Sequence, residues 1–351
     1  MLLVLGLGAA IWGLGHLIGA SKVARLYMLG LLYVIVLMIQ IALPEGHGLR
    51  QITGGSPALW LILGGFVALG LVYALVLRRV KARAQAGEAA RAAEVPSGPG
   101  RMSDSELERY ARHIVLRELG GPGQKKLRGA KVLVVGAGGL GAPALQYLAA
   151  AGVGTLGVID DDVVENANLQ RQVIHTDARI GMAKVFSAQA AMEAQNPYVT
   201  VKPYHRRMAP EIAEELIAEY DVILDGTDDT DTRYLVNRVA VAQGKPLVSG
   251  ALSQWEGQVS VFDPARGTPC YQCLFPVAAA PGMAPSCAQA GVLGPLPGVV
   301  GAMMAVEAVK VIAGAGQPLL GEMLIYDALW GETRKITLKR KEDCPVCGAA
   351  A

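Results

Sequence analysis

Four cysteines in two Cys-x-x-Cys pairs, Cys270-Tyr-Gln-Cys273 and Cys344-Pro-Val-Cys347, constrain this 351-residue chain more than any other feature. Residues 274 to 343 separate the pairs, so a site using all four thiolates ties the end of the chain to a much earlier loop. A tetrahedral zinc tetrathiolate is closed to water and substrate, and zinc is expected here as a structural staple. Two disulfides, or a chance spacing, are the competing readings; the cytoplasmic placement argued next disfavours disulfides. Any chemistry then lies elsewhere.

With 52% hydrophobic residues the chain is too apolar for one ordinary soluble domain, and the excess sits at its front. Three runs, residues 1–20, 26–43 and 58–77, contain no Lys, Arg, Asp or Glu. Each is close to the roughly 20 residues that cross a bilayer core. Lys22 and Arg25 lie between the first two runs, and Arg78, Arg79, Lys81 and Arg83 follow the third. The positive-inside rule therefore places the N-terminus outside and everything after Arg78 in the cytoplasm. A signal peptide competes for the first run, but the missing basic start favours a membrane span. Residues 81–102 turn to Ala, Glu, Arg, Gly and Pro and read as a linker that can be helical in part. The expected organisation is a transmembrane region over 1–80, this linker, and a soluble α/β domain over 103–351. Ser103-x-x-Glu106 has capping-box spacing and opens a helix expected from Glu106 to Leu119.

Lys131-Val-Leu-Val-Val135 reads as a strand, Gly136-Ala-Gly-Gly-Leu-Gly141 as a glycine turn, and Ala142 to Ala151 as a helix. Such a turn lets backbone approach a phosphate, and the helix start favours its charge. A second strand, Thr155 to Ile159, ends in Asp160, placed to hold ribose hydroxyls. Alone, this is a dinucleotide fingerprint, and an oxidoreductase is the first hypothesis. Arg171, in Asn168-Leu-Gln-Arg-Gln172, and Lys184 argue instead for a triphosphate, because a nucleotidyl transferase must neutralise a departing pyrophosphate. Val222-Ile-Leu-Asp225 reads as a buried strand followed by Asp228 and Asp229, either of which is a candidate magnesium ligand. His113, His175 and His205 are expected to be structural or surface residues.

Arg109-Tyr-Ala-Arg-His113, the glycine loop, Asn168 to Gln172, Thr227-Asp228, Pro269 to Cys273 and Cys344 to Cys347 together resemble the MoeB/ThiF/HesA family. The resemblance covers Asp104 to Gly348 and leaves the apolar front outside. It implies a Rossmann-like doubly wound sheet with a structural zinc. It also implies adenylation, with ATP and magnesium, of the C-terminal Gly-Gly carboxylate of a ubiquitin-like sulfur carrier. Carried over, Gly138 and Gly139 bind ATP phosphates and Asp160 the ribose. The run Asn168, Leu169, Gln170, Arg171 contributes to the nucleotide site, with Asn168, Arg171 and Lys184 on the triphosphate. Asp228 takes the magnesium and catalytic position, and Asp229 stands where the family often has Asn. Arg112 matches an arginine that reaches into the neighbouring subunit's site, which implies a homodimer.

Cys287 stands where some relatives form a covalent bond with the carrier, although no nearby cation in the sequence lowers its pKa. Ser249 to Phe262 and Ala278 to Val300 are candidate carrier-docking surfaces, whereas Gly298 to Ile312 is expected to be a buried helix. The chain ends at Ala351 without an appended rhodanese-like domain, so sulfur is expected to come from another protein. The Asn-Leu-Gln-Arg-Gln, Val248-Ser-Gly and Trp255-Glu-Gly-Gln-Val runs look closest to the molybdopterin-synthase branch; a thiamine-type carrier stays open. A membrane-anchored scaffold without chemistry is the third hypothesis, opposed by the full set of ATP residues. No nucleic-acid partner is expected.

Overall fold

A computed structural model describes residues 2–93, 102–278 and 290–348. The chain divides into two compact units, Met1–Ala93 and Glu94–Ala351.

The first unit is helical: α1 (Leu2–Leu17), α2 (Lys22–Ala42), α3 (Gly48–Ile52) and α4 (Pro57–Ala93). Ser21 caps α2 by accepting a hydrogen bond from the Ala24 N–H. The chain stays helical through Ala93, well into the residues read as linker, because Ala, Arg, Lys and Glu are strong helix formers. α1 has only 16 residues and rises about 24 Å, less than the roughly 30 Å of a hydrocarbon core. Among the described residues, α2, the Pro57–Arg83 part of α4, and Pro295–Ala313 are long and apolar enough to cross a membrane. Burial separates them. Only 17% of the most apolar window of α2 and 6% of that of α4 is buried, against 50% for Pro295–Ala313. The third helix is thus a core helix of the second unit, and the membrane candidates reduce to two long helices with the shorter α1.

In the second unit Ser103 and Glu106 form the expected capping box at α5 (Asp104–Arg109). The helix expected to run on to Leu119 breaks at Tyr110 and resumes as α6 (Ala111–Ile114) and then α7 (Gly120–Gly129). Tyr110 is pulled inward: it is buried, lies against Gly152, and accepts a hydrogen bond from Asn196 Nδ2.

The remaining elements are β1 (Lys131–Val135), α8 (Gly141–Ala151), β2 (Thr155–Ile159), α9 (Lys184–Gln195), β3 (Thr200–Tyr204), α10 (Pro210–Ala218), β4 (Val222–Asp225), α11 (Thr230–Ala242), β5 (Leu247–Leu252), β6 (Glu256–Phe262), α12 (Tyr271–Leu274), α13 (Pro295–Ala313), β7 (Glu322–Asp327) and β8 (Glu332–Thr337). They form one eight-stranded sheet in the order β3-β2-β1-β4-β5-β6-β7-β8. Strands β1 to β5 run parallel, and β6 to β8 extend the sheet antiparallel. Alternate residues of β1 face opposite sides. Val132 and Val134 join α8, α9 and α13 in one core, whereas Leu133 and Val135 join α10 and α11 in the other. Such doubly wound sheets bind ligands where the winding reverses, here at the carboxyl ends of β1 and β4.

Candidate functional site

A cleft of about 630 Å³ opens at that reversal. Its floor is the turn between β1 and α8. Gly136 has φ of +94°, and a Cβ at Gly141 would stand 1.8 Å from the Gly136 carbonyl oxygen, so the turn requires glycine at both positions. Asp160, at the end of β2, accepts hydrogen bonds from the Ala137 and Asp162 N–H groups, each at 2.8 Å. The same Ala137 is held from the other side. Its carbonyl lies 2.9 Å from His175 Nε2, and His175 Nδ1 lies 2.9 Å from Ser187 Oγ. Because a carbonyl only accepts, Nε2 carries the proton and Nδ1 accepts from the serine. His175 is therefore structural, and burial pushes its pKa below the ordinary value.

That shift has a sign. The unfolded imidazole takes up a proton below about pH 6.5 while the folded one resists, so stability is complete above that value and falls as the pH drops. Between about pH 7.5 and pH 5.5 the unfolding midpoint of the wild type is expected to fall more steeply than that of His175→Asn. Parallel slopes would show that His175 does not contribute.

Of the residues assigned from sequence, Gly138, Gly139, Asp160, Asn168, Arg171, Lys184, Asp228 and Asp229 all line the cleft. Arg171 Nη2 donates to Asn168 Oδ1 at 3.2 Å. Lys184 Nζ is buried and sits 2.6 Å from the exposed Asp162 carboxylate. Gln172 also lines the cleft: its Nε2 lies beside Gly138 of the glycine turn, and its buried carboxamide oxygen has no partner among the described residues.

The two acids after β4 differ. Asp229 is the N-cap of α11; its Oδ2 accepts from Thr232 N at 2.9 Å and Thr232 Oγ1 at 2.6 Å, and its Oδ1 pairs with Arg207 at 2.8 Å. Partial burial opposes its ionisation, but the Thr232 hydrogen bonds and Arg207 outweigh it and hold the carboxyl below the usual range. Asp228 is exposed in the cleft and has no partner among the described residues. It is the acid left free for a cation.

Below them lies a buried network. Asp225 pairs with Arg233 at 3.2 Å, accepts from Ser249 Oγ at 3.2 Å and from the Thr227 N–H at 3.1 Å. Arg233 also donates to Ser249, Gly250 and the Thr227 carbonyl, which fixes the loop carrying Asp228. Burial pushes the Asp225 carboxyl up, and Arg233 counters it. Sequence reasoning missed Arg233, Asp162 and Arg207. Arg233 was signalled by a charge on the buried face of α11, beside Thr232, Val236 and Asn237.

Other assigned residues stand apart. Leu169 and Gln170 do not line the cleft, and Gln170 packs against Gly294 ahead of α13. Arg112 is exposed on α6 and does not line the cleft of its own chain. Cys287 lies outside the described residues. Ser249 to Phe262 forms β5 and β6 and is mostly buried, so only its tip near Trp255 is available as a surface. Gly298 to Ile312 falls within α13, against the core as expected.

Cys270, Cys273, Cys344 and Cys347 converge, are buried, and are free thiols. Two Sγ···Sγ distances are 3.6 and 3.3 Å. Ligand atoms at about 2.3 Å around a tetrahedral ion stand about 3.8 Å apart, so the cluster can close on such an ion with little movement. Between the cysteines, the Tyr271 N–H donates to Asn237 Oδ1 and the Arg233 guanidinium lies 5.6 Å from the Tyr271 ring centroid. The thiol cluster thereby buttresses the network under the cleft.

A family model described as the ThiF family matches residues 110–346. The chain belongs to the ThiF family. A sulfur carrier protein adenylyltransferase of Thermus thermophilus is 51% identical over 252 residues, covering 71% of this chain and 93% of the relative. The probable adenylyltransferase/sulfurtransferase MoeZ of Mycobacterium tuberculosis is 50% identical over 247 residues, 70% of this chain and 63% of MoeZ, so this ThiF-family chain spans less than two thirds of that relative. In fold, it is similar to a crystal structure of E. coli MccB with AMPCPP and MccA, at 22% identity and a TM-score of 0.61, covering 71% of this chain and 75% of that one.

Proposed function

We propose that this adenylyltransferase-type enzyme uses ATP to adenylate the C-terminal glycine carboxylate of a ubiquitin-like sulfur-carrier protein, releasing pyrophosphate. One observation carries the reading: a glycine turn, the cations Arg171 and Lys184, and an Asp228 with no partner among the described residues share one cleft at the reversal of a doubly wound sheet. Gly138 and Gly139 receive the phosphates, Asp160 the ribose, and Arg171 and Lys184 the triphosphate, Lys184 exchanging Asp162 for it. The attacking carboxylate is already ionised at neutral pH, so no general base is needed and positioning beside the charges does the work. Magnesium held by Asp228 would neutralise charge on the departing pyrophosphate.

The carrier proposed is the molybdopterin-synthase type. Zinc is the ion proposed for the four thiolates, consistent with an all-sulfur donor set at these separations. Arg112 is proposed to serve the site of a second copy in a homodimer, in keeping with its exposure and with its not lining its own cleft. The apolar, exposed faces of α2 and α4 support insertion of the first unit in a bilayer, with the cleft on the cytoplasmic side. The test is ATP–pyrophosphate exchange by the full-length protein in detergent, with carriers ending in Gly-Gly offered one at a time. Exchange with a molybdopterin-type carrier supports the reading, exchange only with a thiamine-type carrier moves the branch, and none rejects the activity.

A further inference from the structure

Arg207 follows β3, yet its carboxylate partner Asp229 follows β4, and β2 and β1 separate those two strands in the sheet. The pair therefore reaches across the carboxyl ends of both intervening strands, at the mouth of the nucleotide cleft. A second cavity of about 720 Å³ opens beside it, among α10, α11 and residues 276–278. Arg207, Met208, Asp229 and Thr232 line both spaces, and among the described residues Arg207 is the only cation that does. Arg207 lines the second cavity as well as the cleft, whereas Asp228 lines the cleft alone.

The Arg207–Asp229 bond is built to be exchanged. The Arg207 side chain is 60% exposed, and exposed ion pairs hold weakly. Asp229 keeps both Thr232 hydrogen bonds on Oδ2 when Arg207 leaves Oδ1, so the cap of α11 survives. Two other cations, Arg171 and Lys184, are the ones proposed for the triphosphate. Lys184 opens α9 and Arg171 precedes it, on the core side shared with α8, whereas Arg207 lies in the loop between β3 and α10, and α10 packs on the opposite side of the sheet. A guanidinium presents parallel N–H donors that match a carboxylate in bidentate fashion.

We propose that Arg207 is the specificity-determining residue for the acyl substrate: it releases Asp229 and holds the C-terminal carboxylate of the carrier tail as that tail enters through the second cavity. This rests on the function proposed above. A carboxylate oxygen then attacks the α-phosphorus, the bond from that phosphorus to the bridging oxygen breaks, and pyrophosphate leaves. The mixed anhydride formed no longer presents a carboxylate, so Arg207 returns to Asp229 and its grip on the tail is lost.

The experiment compares binding of a carrier with a free C-terminal carboxylate and of the same carrier with a C-terminal carboxamide to the full-length protein in detergent. The wild type is expected to prefer the carboxylate by about tenfold. Arg207→Ala is expected to remove that preference without changing the affinity for the amide, the KM for ATP or the unfolding midpoint, and Arg207→Lys to restore part of it. Asp229→Asn, which keeps the cap and frees Arg207, is expected to increase the preference. An undiminished preference in Arg207→Ala, or a raised KM for ATP in place of its loss, overturns the proposal. A wild type that adenylates no carrier overturns the function reading first, before any Arg207 variant is compared.

Discussion

Replacing Asp228 by Ala is expected to lower carrier-dependent ATP–pyrophosphate exchange by at least about a hundredfold, with the unfolding midpoint unchanged. The carboxylate is exposed in the cleft and bonds to nothing among the described residues, so its removal leaves no buried group orphaned. Its neighbour should behave differently. Asp229→Asn retains an N-cap acceptor for Thr232, and Asn caps about as well as Asp, so most exchange activity is expected to remain. Steady-state exchange rates and thermal melts of the two variants check this. Full activity in Asp228→Ala, or a larger loss in Asp229→Asn, would reverse the assignment of the two acids.

The contrast shows where the sequence was legible. Gly136 and Gly141 could be read because steric exclusion at a tight turn is local, and the strand before and helix after it are contiguous in the chain. The four cysteines could be read because no other side chain supplies four soft ligands at such spacing. Local pattern left Asp228 and Asp229 equivalent and only the family resemblance separated them, since the physical difference comes from Thr232 and from Arg207, which follows a different strand. Lys184 was assigned, but its counter-ion Asp162 was hidden in a run of three acids after β2. The break at Tyr110 was invisible for a similar reason: its cause is the space over Gly152, contributed from beyond β1. In the first unit, apolar composition found the helices but not their ends, because charge-free sequence continues past the end of α1 at Leu17.

The second large effect concerns the thiol cluster. Full-length protein is expected to carry one zinc per chain, and Cys344→Ser to lose it together with a large drop in the unfolding midpoint of the second unit. Structural zinc sites contribute on the order of 10 kcal/mol of apparent binding free energy, most of which becomes folding free energy. Here the loss should also reach the cleft. Without the knuckle, Tyr271 no longer braces Arg233, and the Asp225–Arg233 network that fixes the loop of Asp228 loosens. Chelation is therefore expected to reduce exchange activity at temperatures below unfolding. Metal analysis finding no zinc, with Cys344→Ser as stable and active as wild type, would remove the staple from this account.

Carrier-dependent ATP–pyrophosphate exchange by the full-length protein tests the central claim most directly. Rapid label exchange is expected when ATP, magnesium and a molybdopterin-type carrier ending in Gly-Gly are all present, and background without the carrier or with its terminal glycines removed. Exchange at the same rate without any carrier, or none with every Gly-Gly carrier offered, would contradict it.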